Sequence, residues 1–271
     1  MHRYFHQARE VAASLLSRPD ELMLETGAGG ELLVARLRAV IAAILLLLPL
    51  ANALTGGSIR ETMIGLAGAV FINVSAQVWL ALARMPRRFR RLTFASAAFD
   101  VSATTLVLAM LMTTQVPAGL NSTVVWFGYL LAIVLTALRS DGRITLFAGA
   151  LALLQYGAMV FVGFQLASSP EQLISSDYGA VTVGNQVQRL ILLVIATLIT
   201  AMIAYRMQRL VEMSGTDGLT GLPNRTWLLH RMPRLIDAAQ RHGGSLSVAL
   251  IDLDRINRNN DETGHQAGDR A

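Results

Sequence analysis

The chain has 271 residues, of which 53 % are hydrophobic and 15 % are charged, and its mean hydropathy is +0.47. These values exclude an ordinary water-soluble domain of mixed polarity and favour a membrane protein. The absence of cysteine excludes disulfides, cysteine-ligated zinc and thiol catalysis. All 23 basic residues are arginine and the net charge is +5. Because the arginines cluster at the ends of apolar runs, we expect them to orient membrane helices and expect no nucleic acid polymer as partner.

Six apolar runs predict a six-span transmembrane sensor or anchor domain over residues 39–205. Each run is near the length of roughly 20 apolar residues that crosses a bilayer. The runs lie near Ala39–Thr55, Met63–Ala83, Ala95–Val116, Thr123–Leu138, Ile144–Ala167 and Leu190–Tyr205. Residues 1–38 predict a cytoplasmic N-terminal segment with an amphipathic helix over Tyr4–Leu16, and they lack the pattern of a cleaved signal peptide.

Arginine is concentrated at alternate ends of these runs. The arginine-rich flanks contain Arg36, Arg38, Arg84, Arg87, Arg88, Arg90, Arg91, Arg139, Arg143, Arg206 and Arg209, whereas the alternate loops contain only Arg60 and Arg189. The positive-inside rule therefore predicts that both termini are cytoplasmic. We expect a multi-pass protein of the bacterial inner membrane that contacts membrane lipid.

Polar residues within the predicted spans are candidates for function, because an unpaired polar group in hydrocarbon is costly. Asp100 is the only acidic residue within the spans as predicted. Two interpretations stay open: an interfacial carboxylate paired with Arg90 or Arg91, or an intramembrane ligand or proton site. The residues expected to form interhelical hydrogen bonds are Asn73, Gln77, Gln155 and Tyr156. Pro49 predicts a kink or an end in the first span.

The sixth span runs on without a helix breaker to Ser214, which predicts a helical linker over residues 206–216. Apolar residues at helical spacing then predict an amphipathic helix over Thr226–Arg241, ended by two glycines. Ser245–Leu253 is typical of a buried strand, and it places Asp252 and Asp254 at its carboxyl end. We expect at most one of these two carboxylates to face a given metal ion. We favour Asp252 as the ligand and expect Asp254 to stabilise the turn that follows.

Three motifs follow the linker in order. They are Asp217-Gly-Leu-Thr-Gly-Leu-Pro-Asn224-Arg225, then Ile251-Asp-Leu-Asp254, then Asn260-Asp-x-x-Gly264-His265-x-x-Gly268-Asp269. Together they closely resemble the first part of the GGDEF-type diguanylate cyclase domain, over residues 214–271. The resemblance implies a fold that is mostly α: a six-helix transmembrane bundle followed by the N-terminal part of an α/β, cyclase- or palm-like GGDEF domain over 217–271.

The resemblance also implies roles for individual residues. Asp252 would be a ligand of Mg²⁺, which suits an oxygen-only site. The backbone of the turn from Leu253 to Asn257 would lie against the triphosphate of GTP. Asn260 and Asp269 would bind guanine, since a carboxylate can accept from its N1 and N2 donors. The residues with structural roles in the motifs would be Asp217, Asn224, Arg225, Gly264, His265 and Gly268.

In this family two heads meet, each with one GTP, and form cyclic di-GMP and pyrophosphate. We therefore expect a homodimer. This sequence departs from the family at Ile256-Asn257, where Phe-Lys is usual, and it stops at Ala271, before the Gly-Gly-Asp/Glu-Glu-Phe hairpin. The expectation is that the catalytic machinery is incomplete in this chain, which would be inactive alone.

Two other classes of protein are considered. One is a non-enzymatic membrane receptor or dimerisation module whose degenerate head only binds nucleotide or a partner. The other, a small transporter, is disfavoured because buried charge is scarce and no repeat relates the two halves of the chain.

Overall fold

The computed structural model of the protein describes residues 21–85, 89–214, 220, 222–241 and 243–249. The helix predicted over Tyr4–Leu16 lies outside these residues. The chain divides into two compact units, Met1–Gln208 and Arg209–Ala271. Within the described residues the fold is mostly α, as predicted.

The helices follow one another with short connections. In chain order they are α1 (Glu21–Leu45), α2 (Leu47–Leu54), α3 (Ile59–Ala83), α4 (Phe89–Met112), α5 (Val116–Asn121), α6 (Thr123–Leu135), α7 (Gly142–Leu166), α8 (Val183–Ser214) and α9 (Arg225–Arg241). Single turns of 3₁₀-helix occur at Thr136–Arg139 and Pro170–Leu173, and the strands β1 (Ile174–Ser175) and β2 (Gly179–Ala180) form a short antiparallel hairpin.

Six of these helical stretches are long and apolar enough to cross a membrane, which confirms the predicted number. They cover Glu31–Leu54, Ile59–Ala83, Leu92–Met112, Val116–Arg139, Gly142–Leu166 and Val183–Gln208. Many of their large apolar side chains face outward: on α8 alone, Ile191, Leu198 and Ile199 are all more than half exposed. An apolar surface of this kind is suited to lipid and unsuited to water.

Two prolines shape the spans. The first span breaks at Leu46, between α1 and α2, and Pro49 lies in the first turn of α2. A proline removes one helical hydrogen bond and its ring meets the carbonyl four residues earlier, here Leu45, so the break confirms the predicted kink. Pro117 lies in the first turn of the short helix α5, and residues 117–121 of this helix are buried in a stretch predicted as a loop between two spans.

Helix α4 is the centre of the bundle and packs against α3, α5, α6 and α7. The main core contains Leu108 of α4, Tyr129 of α6 and Tyr156 of α7, all fully buried. A Cβ atom at Gly128 would come within 2.7 Å of Thr104 Oγ1. Glycine at this position therefore allows α4 and α6 to approach closely, as small residues do between membrane helices.

The second unit contains α9. Residues next to this helix determine where it starts and where it ends. At its start the Asn224 side chain accepts a hydrogen bond from the Trp227 backbone N–H at 3.0 Å, as a helix cap does. At its end Gly243 has φ +63°, and the Gly244 N–H donates to the Ala239 carbonyl at 2.9 Å. These features confirm the helix predicted over Thr226–Arg241 and its glycine stop.

The strand predicted from Ser245 is absent from the part of it that is described. Residues 244–249 have no strand structure, and Leu246 and Val248 are exposed. A strand is stable where neighbouring strands complete its hydrogen bonds, and no described segment pairs with these residues. The rest of the predicted strand, 250–253, lies outside the described residues.

Candidate functional site

A buried ion pair joins α1 to the end of the fourth span. Arg139 Nε donates to Glu31 Oε2 at 2.6 Å, and both side chains are about 1 % exposed. Ser96 of α4 completes the arrangement: its Oγ donates to Glu31 Oε1 at 2.8 Å and accepts from Arg139 Nη2 at 2.9 Å. Three elements of the bundle therefore share one polar contact.

Asp100 forms a second ion pair, at the same end of the bundle. Arg38 Nη2 donates to Asp100 Oδ2 at 2.6 Å, and the Arg38 guanidinium lies 5.9 Å from the centre of the Trp79 ring. The two predictions for Asp100 are a pair with Arg90 or Arg91 and an intramembrane ligand or proton site. Among the side chains that the structure describes, its partner is Arg38 of α1, and the side chains of Arg90 and Arg91 lie outside that set. The sequence prediction placed Arg38 in the segment before the first span, whereas the first apolar helical stretch begins at Glu31 and includes Arg38.

These four charged residues, Glu31, Arg38, Asp100 and Arg139, form a neutral set that we call the charge cluster. Buried charges are tolerated when they are paired and hydrogen-bonded. Glu31 and Arg38 are seven residues apart on α1 and so lie on one helix face. The spacing of Glu31 and Arg38 is a sequence signal for a shared polar face on α1, but it does not show which distant residues they meet.

The polar residues predicted to bond between helices include two that do so. Gln155 of α7 accepts from Thr105 at 2.5 Å and donates to Ser102 at 2.9 Å, both on α4. Tyr156 donates to the Leu120 carbonyl at 3.2 Å and to Gln186 of α8 at 2.5 Å. For these two residues the prediction is confirmed.

A second polar region lies at the end of the bundle opposite the charge cluster. Glu61 of α3 accepts hydrogen bonds from Tyr178 in the hairpin loop at 2.8 Å and from Gln115 at 3.1 Å. Burial raises the pKa of Tyr178 above its usual range, and the hydrogen bond to Glu61 and the negative charges of Glu61 and Asp177 raise it further. Tyr178 therefore keeps its proton at physiological pH and donates it to Glu61.

Of the residues predicted for the candidate GTP site and its motifs, the structure describes Asn224 and Arg225. Asn224 caps α9, and Arg225, exposed, is its first residue. The remaining predicted residues lie outside the described part of the chain: Asp217, Asp252, Leu253, Asn257, Asn260, Gly264, His265, Gly268 and Asp269. Among the residues that are described, no three histidine or acidic side chains converge to hold a metal ion.

The comparisons with known proteins concern this C-terminal part. Residues 214–271 match the family described as diguanylate cyclase, GGDEF domain. The chain is 47 % identical over 55 residues to diguanylate cyclase DgcP of Pseudomonas aeruginosa, a match that covers 20 % of this chain and 8 % of that protein. It is 40 % identical over 60 residues to diguanylate cyclase DgcP of Escherichia coli, covering 22 % and 18 %. It is 39 % identical over 59 residues to the response regulator PleD of Caulobacter vibrioides, covering 22 % and 13 %.

The chain thus spans less than a fifth of the length of these curated relatives. No solved structure matches it. The predicted resemblance is confirmed: residues 214–271 have the sequence of a GGDEF domain, and the six apolar helices before it are consistent with a membrane-anchored GGDEF protein.

Proposed function

Because residues 214–271 match the GGDEF domain of diguanylate cyclases, we propose that this chain belongs to a membrane-anchored signalling protein that makes cyclic di-GMP from two molecules of GTP. The observation that carries the proposal is the order of three motifs, from Asp217 to Asp269, inside a segment that matches one family. The six-helix bundle would serve as sensor or anchor.

The proposed site binds GTP through residues of the head. Asn260 and Asp269 hold guanine, and the turn from Leu253 to Asn257 lies against the triphosphate. Asp252 would hold Mg²⁺. This ion prefers oxygen ligands, and the sequence around Asp252 offers aspartates and no cysteine. When bound, the ion would neutralise charge on the phosphates.

The proposed reaction needs two heads. In each, the 3′-hydroxyl of one GTP attacks the α-phosphate of the other, and pyrophosphate leaves. The protein contributes mainly by holding the reacting atoms in line, which is the dominant part of catalysis in phosphoryl transfer. The active form would be a homodimer, in the bacterial inner membrane, with both termini in the cytoplasm where GTP is available.

Nucleotide selectivity tests this proposal. The protein purified from its native membrane should bind a fluorescent GTP analogue in the presence of Mg²⁺ and should bind the matching ATP analogue more weakly. Asp269→Asn should remove most of this preference, because an amide cannot accept from both guanine donors. Asp237→Asn on α9 is a matched control and should leave binding unchanged. Equal affinity for the two nucleotides in the unaltered protein would overturn the guanine assignment.

A second candidate function is a receptor that binds nucleotide without converting it. The observation that favours it is Ile256-Asn257 in place of the usual Phe-Lys, which removes a positive charge directed at phosphate. The two candidates differ in product: GTP binding accompanied by cyclic di-GMP supports the enzyme, and GTP binding without it supports the receptor.

A further inference from the structure

A cavity of about 750 Å³ lies inside the first unit. It is bounded by the first span, by α3, α4 and α6, and by the loop of the hairpin. Its volume is within the range of about 300–1,000 Å³ that is typical of sites for small molecules. The cavity lies at the end of the bundle opposite the charge cluster.

The wall of this cavity has two chemically different parts. The deeper part is apolar and includes Pro49, Ala69, Ile72, Val107 and Leu131. The part next to the loops is polar and includes Asn52, Glu61, Thr62, Asn121 and Tyr178. A cavity that is apolar along its length and polar at one end matches an amphiphilic molecule.

The polar end is held in place by its own hydrogen bonds. Asn121 donates to the carbonyls of Tyr178 and Ala180 at 3.0 and 3.1 Å and accepts from Gln186 at 3.0 Å. These bonds hold the hairpin loop, which lines the cavity, against α5. Asn52 donates to Thr62 at 2.8 Å. The site is therefore preorganised, and these groups need no ligand to be satisfied.

Glu61 differs from these residues. Its oxygens accept one hydrogen bond each, from Gln115 and Tyr178, whereas a carboxylate can accept about four. Among the described residues that line the cavity, Glu61 and Asp177 carry the charge, and both are acidic. No described arginine forms an ion pair with Glu61. Two arginines lie near this end. Arg189 donates to the Asn121 carbonyl and packs over Trp126. Arg60 precedes Glu61 on α3, is exposed, and lines a separate pocket with Met63 and Ile64 instead of this cavity.

We propose that this cavity binds a small amphiphilic cation, an aliphatic amine or quaternary ammonium compound. The ammonium group pairs with Glu61, and the aliphatic tail lies in the apolar part. Glu61 and Ile72 are eleven residues apart on α3, so the cavity extends about 16 Å along that helix, which is long enough for a tail of medium length. This inference concerns the bundle alone and does not depend on the proposed cyclase activity.

Binding of three ligands of equal tail length tests the charge preference. The full chain in lipid nanodiscs is titrated calorimetrically with decyltrimethylammonium, decanol and decanoate, with protein-free nanodiscs as baseline. The cation should bind saturably, roughly tenfold or more tighter than the other two ligands, because a charge pair in a partly buried site is weakly screened. Equal binding of all three would mean that the cavity holds lipid tails without regard to charge, and would overturn the proposal.

Two pairs of variants locate the site. Glu61→Gln should weaken binding of decyltrimethylammonium roughly tenfold. Glu171→Gln, in the 3₁₀ turn Pro170–Leu173 and outside the cavity lining, should not. Unchanged binding to Glu61→Gln would contradict the assignment of Glu61.

The second pair fills space instead of removing charge. A Cβ atom at Gly65 would meet only Pro49, at 3.6 Å, which is an ordinary contact. Gly65 also lines the cavity. The variant Gly65→Leu should therefore fold, and its side chain should occupy the space proposed for the aliphatic tail of the ligand. Gly157→Leu is the matched control, because no atom lies within 4 Å of a Cβ there. Equal binding by both leucine variants would place the ligand elsewhere and overturn the proposal even if Glu61→Gln fails to fold.

Discussion

Glu31 and Arg139 depend on each other because neither charge has access to water. Each is about 1 % exposed, and Ser96 is their shared neighbour. In such a pair the removal of one partner leaves a buried charge without compensation, which costs more than the pair itself contributes. The charge cluster is therefore expected to act as a fixed joint between α1, α4 and the end of the fourth span.

A double-mutant cycle tests this dependence. Glu31→Gln should lower the free energy of unfolding by roughly 3–5 kcal/mol, because Arg139 is left unpaired in the interior. The double variant Glu31→Gln/Arg139→Gln should cost clearly less than the sum of the two single variants. The measurement is denaturant unfolding in detergent micelles followed by circular dichroism, with the exposed Glu171→Gln as control. Additive single effects would show that the two residues do not act as a pair.

Tyr178 should remain protonated beyond the usual range of a phenol. Its pKa is raised in the folded protein by burial and by Glu61, so the folded state holds the proton more tightly than the unfolded state. The resulting stability is present below pH of about 10 and is lost as the pH rises through the raised pKa. Ultraviolet titration of the protein minus that of Tyr178→Phe should show this phenolate forming well above pH 10.

Glu61→Gln should lower the pH at which the Tyr178 phenolate forms, toward the ordinary value for a tyrosine. The substitution removes the negative charge and the carboxylate that accepts the Tyr178 hydrogen bond. A phenolate signal that forms near pH 10 in the unaltered protein would contradict the contact between Tyr178 and Glu61.

At the scale of elements, α8 and α9 show what local sequence determines. The helix is continuous from Val183 to Ser214, as the lack of a helix breaker after the sixth span predicts. The start and the end of α9 are set by Asn224 and Gly243. The buried helix α5 was not predicted, because Pro117 and Gly119 are typical of loops and only tertiary packing covers them. The strand predicted at 245–253 likewise depends on partners that no local pattern supplies.

Two adjacent glycines at the end of α9 should differ in their tolerance of alanine. Gly243→Ala should destabilise the last turn of α9 by roughly 1 kcal/mol, because φ +63° strains any residue with a Cβ. Gly244→Ala is the matched control, since a Cβ there meets the Ala239 carbonyl at 3.9 Å without strain. Hydrogen exchange of the amides at 238–241, measured by mass spectrometry, should rise only in the Gly243 variant. Equal exchange in both variants would argue against the left-handed conformation.

At the scale of the whole molecule, apolar run length was enough to predict six spans, and motif order was enough to predict the GGDEF domain. The charge cluster and the cavity were not predictable, because both arise where residues from distant parts of the chain meet, such as Glu31 with Arg139 and Glu61 with Tyr178. The orientation of the chain in the membrane is a prediction from the distribution of arginine along the sequence.

Cysteine labelling tests that orientation without interference, since the chain has no cysteine of its own. Ser176→Cys in the hairpin loop should react with a membrane-impermeant maleimide in intact spheroplasts. Gln240→Cys on α9 should react only after the membrane is permeabilised, because the positive-inside rule predicts that α9 is cytoplasmic. Both positions are exposed, so burial does not limit either reaction. The reverse pattern of labelling would contradict the proposed topology.

Formation of cyclic di-GMP by the protein isolated from its native membrane is the most direct measurement of the proposed function. Incubation with GTP and Mg²⁺, followed by mass spectrometry of the products, should detect cyclic di-GMP and pyrophosphate. Asp252→Ala should abolish the product, and Asp237→Ala should leave it unchanged. GTP that is bound but never converted, or a product that persists in Asp252→Ala, would contradict the account.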